Sequence, residues 1–186
     1  MRPLRRQAVW ILLSSAISAC LASNLSAQYR FDSWTTENGL PQNSIWGLRQ
    51  TRDGYLWMTT SSALVRFDGV RFREFNRLNT PGLAADEFAA YALMEDRQGC
   101  LWAGTYRAGA VRYCHGVFTT LTTKDGLPGN RVVRIDEDDE GTVWLFCDPG
   151  LAKWKNGRII RVAPEPGSPF NDVLIAPRDK VGVDGY

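Results

Sequence analysis

Three short stretches decide the reading of this chain: Asp53-Gly54-Tyr55-Leu56-Trp57, Gln98-Gly99-Cys100-Leu101-Trp102 and Glu140-Gly141-Thr142-Val143-Trp144. Their tryptophans stand 45 and 42 residues apart, each three residues after a glycine. The flanks recur as well. Upstream, Gly39-Leu40-Pro41-Gln42-Asn43-Ser44-Ile45 is matched by Gly82-Leu83-Ala84-Ala85-Asp86-Glu87-Phe88 and by Gly126-Leu127-Pro128-Gly129-Asn130-Arg131-Val132. Downstream, the units close on Phe67-Asp68-Gly69, Tyr113-Cys114-His115-Gly116 and Trp154-Lys155-Asn156-Gly157. Copies in register at this period mark a repeat architecture, whose single units cannot bury their apolar faces alone.

Each unit reads as four short strands. In the first, these are Ser44 to Arg49, Tyr55 to Thr59, Ala63 to Phe67 and Val70 to Phe75, separated by turns at Thr51-Arg52-Asp53-Gly54, Ser61-Ser62 and Asp68-Gly69. Strands this short, joined by Gly and Asp turns, leave no room for a helical crossover. The expected fold is all-β: propeller blades of four antiparallel strands, covering about residues 39–81, 82–125 and 126–168. Blades stack on both faces, so Trp57, Trp102 and Trp144, with Leu56, Leu101 and Val143, are expected as the repeated core. Gly54, Gly99, Gly141, Gly69, Gly116 and Gly157 are the expected repeat turns, where glycine supplies positive φ. Pro41 and Pro128 argue against a helix between blades, and Asn43 and Asn130 are placed to bond backbone groups of that connection.

A fourth copy begins at 169–186. Phe170-Asn171-Asp172-Val173-Leu174-Ile175 matches the third repeat 41 residues earlier, Gly182 falls opposite Gly141, and Gly185 stands where a tryptophan is due. Three repeats and the start of a fourth make an incomplete propeller, expected as a fragment of a longer chain or a truncated gene product.

Residues 1–27 read as a signal peptide. Arg2, Arg5 and Arg6 precede the apolar run Ala8 to Ala19, and Leu25-Ser26-Ala27 offers small residues for cleavage before Gln28. The run is shorter than the ~20 apolar residues of a comfortable span. An uncleaved N-terminal anchor is one alternative. A lipoprotein is another, with Ile17-Ser18-Ala19-Cys20 as its signal and Cys20 as the lipidated residue. Either way a periplasmic or secreted location is expected. Cleavage removes three arginines and no acid; the 22 basic residues less these three leave 19 against 20 acidic ones. The apparent basicity belongs to the signal and argues for no nucleic-acid partner.

No catalytic centre is legible, and neither a cofactor nor a metal is expected. His115 is the single histidine, which sets aside a Ser-His-Asp triad and a histidine-centred metal site. Asp136-Glu137-Asp138-Asp139-Glu140 lacks the glycine and terminal glutamate of a calcium loop and reads as a solvated blade edge. The glycines follow strand–turn–strand spacing and open no phosphate-binding helix.

The pattern Gly-Leu-Pro-x-Asn … Gly-x-Leu-Trp-x-x-Thr … Phe-Asp-Gly, present as Gly39 to Asn43, Gly54 to Thr60 and Phe67-Asp68-Gly69, resembles the two-component regulator propeller repeat. The second copy keeps Asp96, Gly99, Leu101, Trp102, Gly104 and Thr105; the third keeps Asp138, Gly141, Trp144, Gly150 and Leu151. It departs locally, with Cys147 in the place of Thr105 and Tyr113-Cys114-His115-Gly116 in the place of Phe-Asp-Gly, so turn geometry is expected to differ between blades. The resemblance implies the N-terminal part of a periplasmic ligand-sensing propeller, in which this chain does no chemistry. The implied parent carries a histidine kinase or diguanylate cyclase and a membrane tether. It senses a small molecule or glycan and can dimerise. Two alternatives remain: a protein-binding or structural propeller, and a fragment of a propeller-type polysaccharide lyase or glycosidase.

Cys100 and Cys114 flank a hairpin. If it turns over Tyr106 to Gly109, Thr105 faces Ala110 and Leu101 faces Cys114, leaving Cys100 one residue off register. A disulfide then needs a small shift; the alternative is two free thiols. Cys147 lies in another blade and is expected free.

Overall fold

The structure is a computed structural model that describes residues 31–85 and 87–163. The expected signal peptide, Cys20 and the fourth repeat lie outside the described residues. The chain divides into Met1–Ser33 and Trp34–Tyr186, and the blades belong to the second unit.

Among the described residues there are three four-stranded antiparallel sheets. The first holds β1 (Gly47–Gln50), β2 (Leu56–Thr59), β3 (Leu64–Phe67) and β4 (Phe72–Phe75). The second holds β5 (Phe88–Glu95), β6 (Leu101–Thr105), β7 (Ala110–Cys114) and β8 (Val117–Leu121). The third holds β9 (Arg131–Glu137), β10 (Val143–Asp148), β11 (Leu151–Lys155) and β12 (Arg158–Val162). Each sheet pairs strictly in chain order, which makes each a blade and the whole an all-β, incomplete propeller. The first strand of each blade is innermost. Neighbouring blades close in tightly on these strands: a Cβ on Gly47 of β1 would lie 2.8 Å from the Ala90 carbonyl oxygen of β5, and one on Gly104 of β6 would lie 2.4 Å from the Val132 carbonyl oxygen of β9.

The core lies between blades. Trp57 stacks on Phe75 (5.5 Å) and meets Tyr113 of the second blade (5.2 Å); Trp102 meets Trp154 of the third edge-on (5.6 Å). Trp57 and Trp102 are 2% and 0% exposed, and Leu101 and Val143 are buried beside them. Trp144 and Leu56 are half-buried. The same motif thus gives different burial, because Trp57 and Trp102 each have a following described blade against them.

The connections differ from the sequence expectation in one respect. One-turn 3-10 helices, Thr36–Asn38 and Thr123–Asp125, stand before Gly39 and Gly126. Thr35 and Thr122 cap them, and the two glycines end them at φ 101° and 115°. The prolines come two residues later and so do not oppose these turns. Asn43 Oδ1 accepts from Thr36 N–H and Asn130 Oδ1 from Thr123 N–H, both at 2.9 Å, tying each connection to its own 3-10 turn.

The hairpins between third and fourth strands differ between blades. In the first, Phe67 pairs with Phe72, and Asp68 Oδ1 holds the loop by accepting from Val70 and Arg71 N–H. In the others, Cys114 pairs with Val117 and Lys155 with Arg158. Their two-residue loops, His115-Gly116 and Asn156-Gly157, all have positive φ, the geometry that matches the strand twist.

Candidate functional site

Antiparallel order sends the chain to two rims. One carries the blade-to-blade connections and the turns between second and third strands. The other carries the turns that precede each motif tryptophan, together with the His115-Gly116 and Asn156-Gly157 hairpins.

The innermost strands present aromatic residues to solvent. Trp46, beside β1, is 46% exposed, and Tyr91 on β5 is 87% exposed. Each stands eleven residues before its motif tryptophan, and Leu48, two residues along the first strand, is exposed as well. On β5 the pairing register shifts between Phe88 and Leu93, a bulge that contains Tyr91 and re-aims it. Near the connection rim Arg107 pairs with Glu87 (3.5 Å). Arg131 pairs with Asp148 (2.8 Å) and lies 5.8 Å over the Tyr106 ring. Exposed aromatic faces together with charged hydrogen-bonding groups suit a ligand having both an apolar face and polar edges.

The opposite rim is structural. In the second blade Asp96 Oδ1 accepts from Gln98 N–H (3.0 Å) and Cys100 N–H (2.8 Å), and Oδ2 from Trp102 Nε1–H (2.8 Å). Asp138 does the same in the third, accepting from Glu140 and Thr142 N–H and from Trp144 Nε1–H. Burial of Asp138 disfavours its charge, but the indole of Trp144 and the Thr142 and Glu140 N–H groups outweigh it and hold its pKa below the usual carboxylate value. The aspartate is therefore a clamp that closes the turn around its glycine and orients the core tryptophan.

A second device joins the blades. Arg52 N–H donates to Glu95 (3.1 Å to Oε2), and its guanidinium donates to the carbonyls of Asp96 and Arg97, each at 2.9 Å. One blade on, Arg97 N–H donates to Glu137 (3.0 Å to Oε2), and its guanidinium reaches the carbonyl and carboxylate of Asp139. The acidic run is thus not a solvated edge throughout. Asp136 pairs with Arg134, Glu137 is clasped by Arg97 with its side chain 8% exposed, and Asp138 is the clamp; only Asp139 and Glu140 are exposed. Single-residue charge counting missed this, although the recurrence of an acid immediately before each clamp position, at Glu95 and Glu137, was there to be read.

Between these devices lies a cleft of about 420 Å³ lined by Arg97, Arg112, Glu137, Glu140, Trp154 and Lys155. Among the described residues no three His, Cys, Asp or Glu side chains cluster as a metal site requires. His115 is exposed in its hairpin at φ 50°.

Cys100 and Cys114 are joined by a disulfide, with Cα atoms 4.6 Å apart. The expected hairpin register is wrong by one residue: Leu101 faces Tyr113 and Gly104 faces Ala110, so Cys100 falls directly opposite Cys114. Thr105 ends β6 by pairing with Phe88 of β5, and on its β7 side it opens the turn instead of facing Ala110. Thr105 N–H and Oγ1–H both donate to the Gly109 carbonyl, and Gly109 adopts φ 90°. Cys147 is free, and burial pushes its thiol up to about 11.

Residues 39–62 and 86–107 match the family model for the two component regulator propeller. Among solved structures, the chain is similar to the extracellular domain of a B. thetaiotaomicron protein described as a hybrid two component system. Identity is 21% and the TM-score 0.61, over 73% of this chain and 20% of that one. A second such domain from the same organism gives 22% and 0.54, over 72% and 20%. Virginiamycin B lyase from Staphylococcus aureus gives 17% and 0.51, over 68% and 44%. These likenesses establish the fold. The chain spans about a fifth of the length of the two extracellular domains. No curated protein sequence matches it.

Proposed function

We propose that this chain, a run of two-component regulator propeller repeats, is the N-terminal part of an exported ligand-sensing propeller in a two-component-type signalling protein and does no chemistry itself. The observation that carries the reading is the pair Trp46 and Tyr91, large exposed aromatics, one beside β1 and one in the bulge of β5, each eleven residues before its motif tryptophan. Exposed apolar groups of this size mark binding surfaces when they form a patch. A small molecule or glycan fits their chemistry. The likeness to the lyase carries the fold and no catalytic residue of this chain.

Periplasmic or secreted placement is supported by the basic and apolar start of the sequence, by the Cys100–Cys114 disulfide, and by the extracellular origin of the similar domains. Two experiments test the reading. Alkaline phosphatase fused after Val162 should be active in cells, and N-terminal sequencing should begin at Gln28; an inactive fusion retaining Met1 would overturn export. Thermal melts of the exported chain against a panel of neutral and acidic oligosaccharides should show stabilisation that the Trp46→Ala, Tyr91→Ala double variant loses. Stabilisation unchanged in that variant would remove these residues from the site.

A further inference from the structure

Among the charges that line the cleft between the second and third blades, most are matched within the rim. Glu137 is clasped by Arg97, Lys155 lies 3.3 Å from Glu140, and the oxygens of Asp96 accept from Gln98 N–H, Cys100 N–H and Trp102 Nε1–H. Arg112 lines the same cleft, and among the described residues no carboxylate pairs with it. Its place in the repeat gives the reason. The third strand of each blade sets a cation opposite the motif tryptophan: Arg66 opposite Trp57, Arg112 opposite Trp102 and Lys153 opposite Trp144. In the first blade the Arg66 guanidinium settles on Tyr55, 4.2 Å from the ring centroid. The second blade has Cys100 at that repeat position, two residues before the tryptophan, and Cys100 is closed into the disulfide.

Arg112 instead stands between blades. Its guanidinium lies 5.6 Å over the Trp102 ring and 5.7 Å over that of Trp154 in the third blade. Nη2 donates to the sulfurs of Cys100 and Cys114, at 3.0 and 3.2 Å, and Nε is buried with no acceptor among the described residues. Sulfur accepts weakly, while a guanidinium carries five N–H donors. A cation drawn this far from water with so few acceptors is under-satisfied, and an oxygen ligand entering the cleft would relieve it. A carboxylate fits best. Its two oxygens match the planar fork of the guanidinium, and the indoles hold that fork in place. The cleft also limits charge, because Asp96, Glu137 and Glu140 line it and oppose a second negative group. Half-buried Trp154 offers a flat apolar wall, and about 420 Å³ lies at the small end of ligand cavities.

We infer that this cleft is a second binding site, which takes a small organic monocarboxylate with a flat apolar body, its carboxylate on the Arg112 guanidinium and its body against Trp154. The inference does not rest on a sensing role for Trp46 and Tyr91, neither of which lines the cleft.

The test is calorimetric titration of the exported chain with benzoate, a flat monocarboxylate, and with benzamide as its neutral match. Benzoate should bind and benzamide bind at least ~10-fold more weakly, the difference being the charge-assisted pair with Arg112. Arg112→Gln should weaken benzoate binding ~10–100-fold. A second variant acts in the opposite direction, so that misfolding cannot imitate it. Glu140→Gln removes an acid whose side chain is 78% exposed and releases Lys155, and benzoate affinity should rise ~2–5-fold. The Trp46→Ala, Tyr91→Ala double variant should bind benzoate as the parent does. No binding of benzoate, equal binding of benzamide, or binding unchanged in Arg112→Gln would overturn the inference. So would unchanged or weaker binding in Glu140→Gln, or binding lost with Trp46 and Tyr91. Full competition by an equal concentration of inorganic sulfate would overturn the choice of a carboxylate.

Discussion

Replacing Asp96 with alanine should be among the most damaging single changes to a polar residue in this chain. The substitution orphans three donors: Gln98 N–H, Cys100 N–H and Trp102 Nε1–H. Gln98 is exposed, so water replaces its acceptor. Cys100 and Trp102 are both 0% exposed, and a buried donor left without a partner costs about 1–3 kcal/mol. Two such donors put the loss at ~2–6 kcal/mol, centred near 4. At about 2–4 °C per kcal/mol for a domain of this size, Tm should fall by ~8–16 °C. Asp138→Ala is the internal control. It removes the same three contacts, but Glu140 is exposed and Trp144 half-buried, so only the Thr142 N–H is left deep. Its loss should be about half as large. Asp96→Asn should fall between, keeping an oxygen for the backbone donors while turning an amide N–H toward the indole. Urea unfolding followed by tryptophan fluorescence measures all three. Equal losses for Asp96→Ala and Asp138→Ala, or a loss below ~1 kcal/mol for Asp96→Ala, would refute the argument from buried donors.

Denatured, unreduced chain processed before Gln28 should show one free thiol, that of Cys147, and three would mean that Cys100 and Cys114 are unpaired. Reduction of that bond should lower stability by about 3 kcal/mol, from reopening a loop of 15 residues. With its thiol pushed up to about 11, Cys147 should react with iodoacetamide far more slowly at pH 8 than a free cysteine and accelerate only toward pH 11; reaction at the free-thiol rate would show that the side chain is not buried. Asp138 is held below its ordinary value in the folded chain, so the stability it contributes is present at neutral pH and is lost as pH falls below about 4 through the folded value. Asp138→Asn should flatten stability against pH in that acid range and leave the slope between pH 6 and 8 unchanged; the same slope in both proteins below pH 4 would contradict the assignment. Trp102→Ala should cost ~3–5 kcal/mol and Trp144→Ala clearly less, since one is fully covered and the other half-buried.

The sequence by itself determined the unit and its multiplication. Gly-x-Leu-Trp at spacings of 45 and 42 dictated blades, and alternation between Gly turns placed the strands to within a few residues, as in Tyr55 to Thr59 against Leu56–Thr59. Such features are local: turn chemistry and the two-residue period of a strand act over a handful of neighbours. Asn43 and Asn130 were legible for the same reason, since each bonds a backbone group only seven residues away. What the tertiary structure decided is what depends on the neighbouring blade or on a turn's full geometry. The hairpin of the second blade turned on whether Thr105 faces Ala110 or opens the turn toward Gly109. One residue there moves every partner, and it brought Cys100 opposite Cys114. The acids at 136–140 looked alike in sequence and took different roles because each meets a different partner, Glu137 finding Arg97 from 40 residues earlier. The three motif tryptophans are likewise equivalent in sequence and unequal in burial. A repeat encodes its own strands, but the cover on its outer face comes from the next copy, and Trp57 and Trp102 have that cover where Trp144 stands half in water.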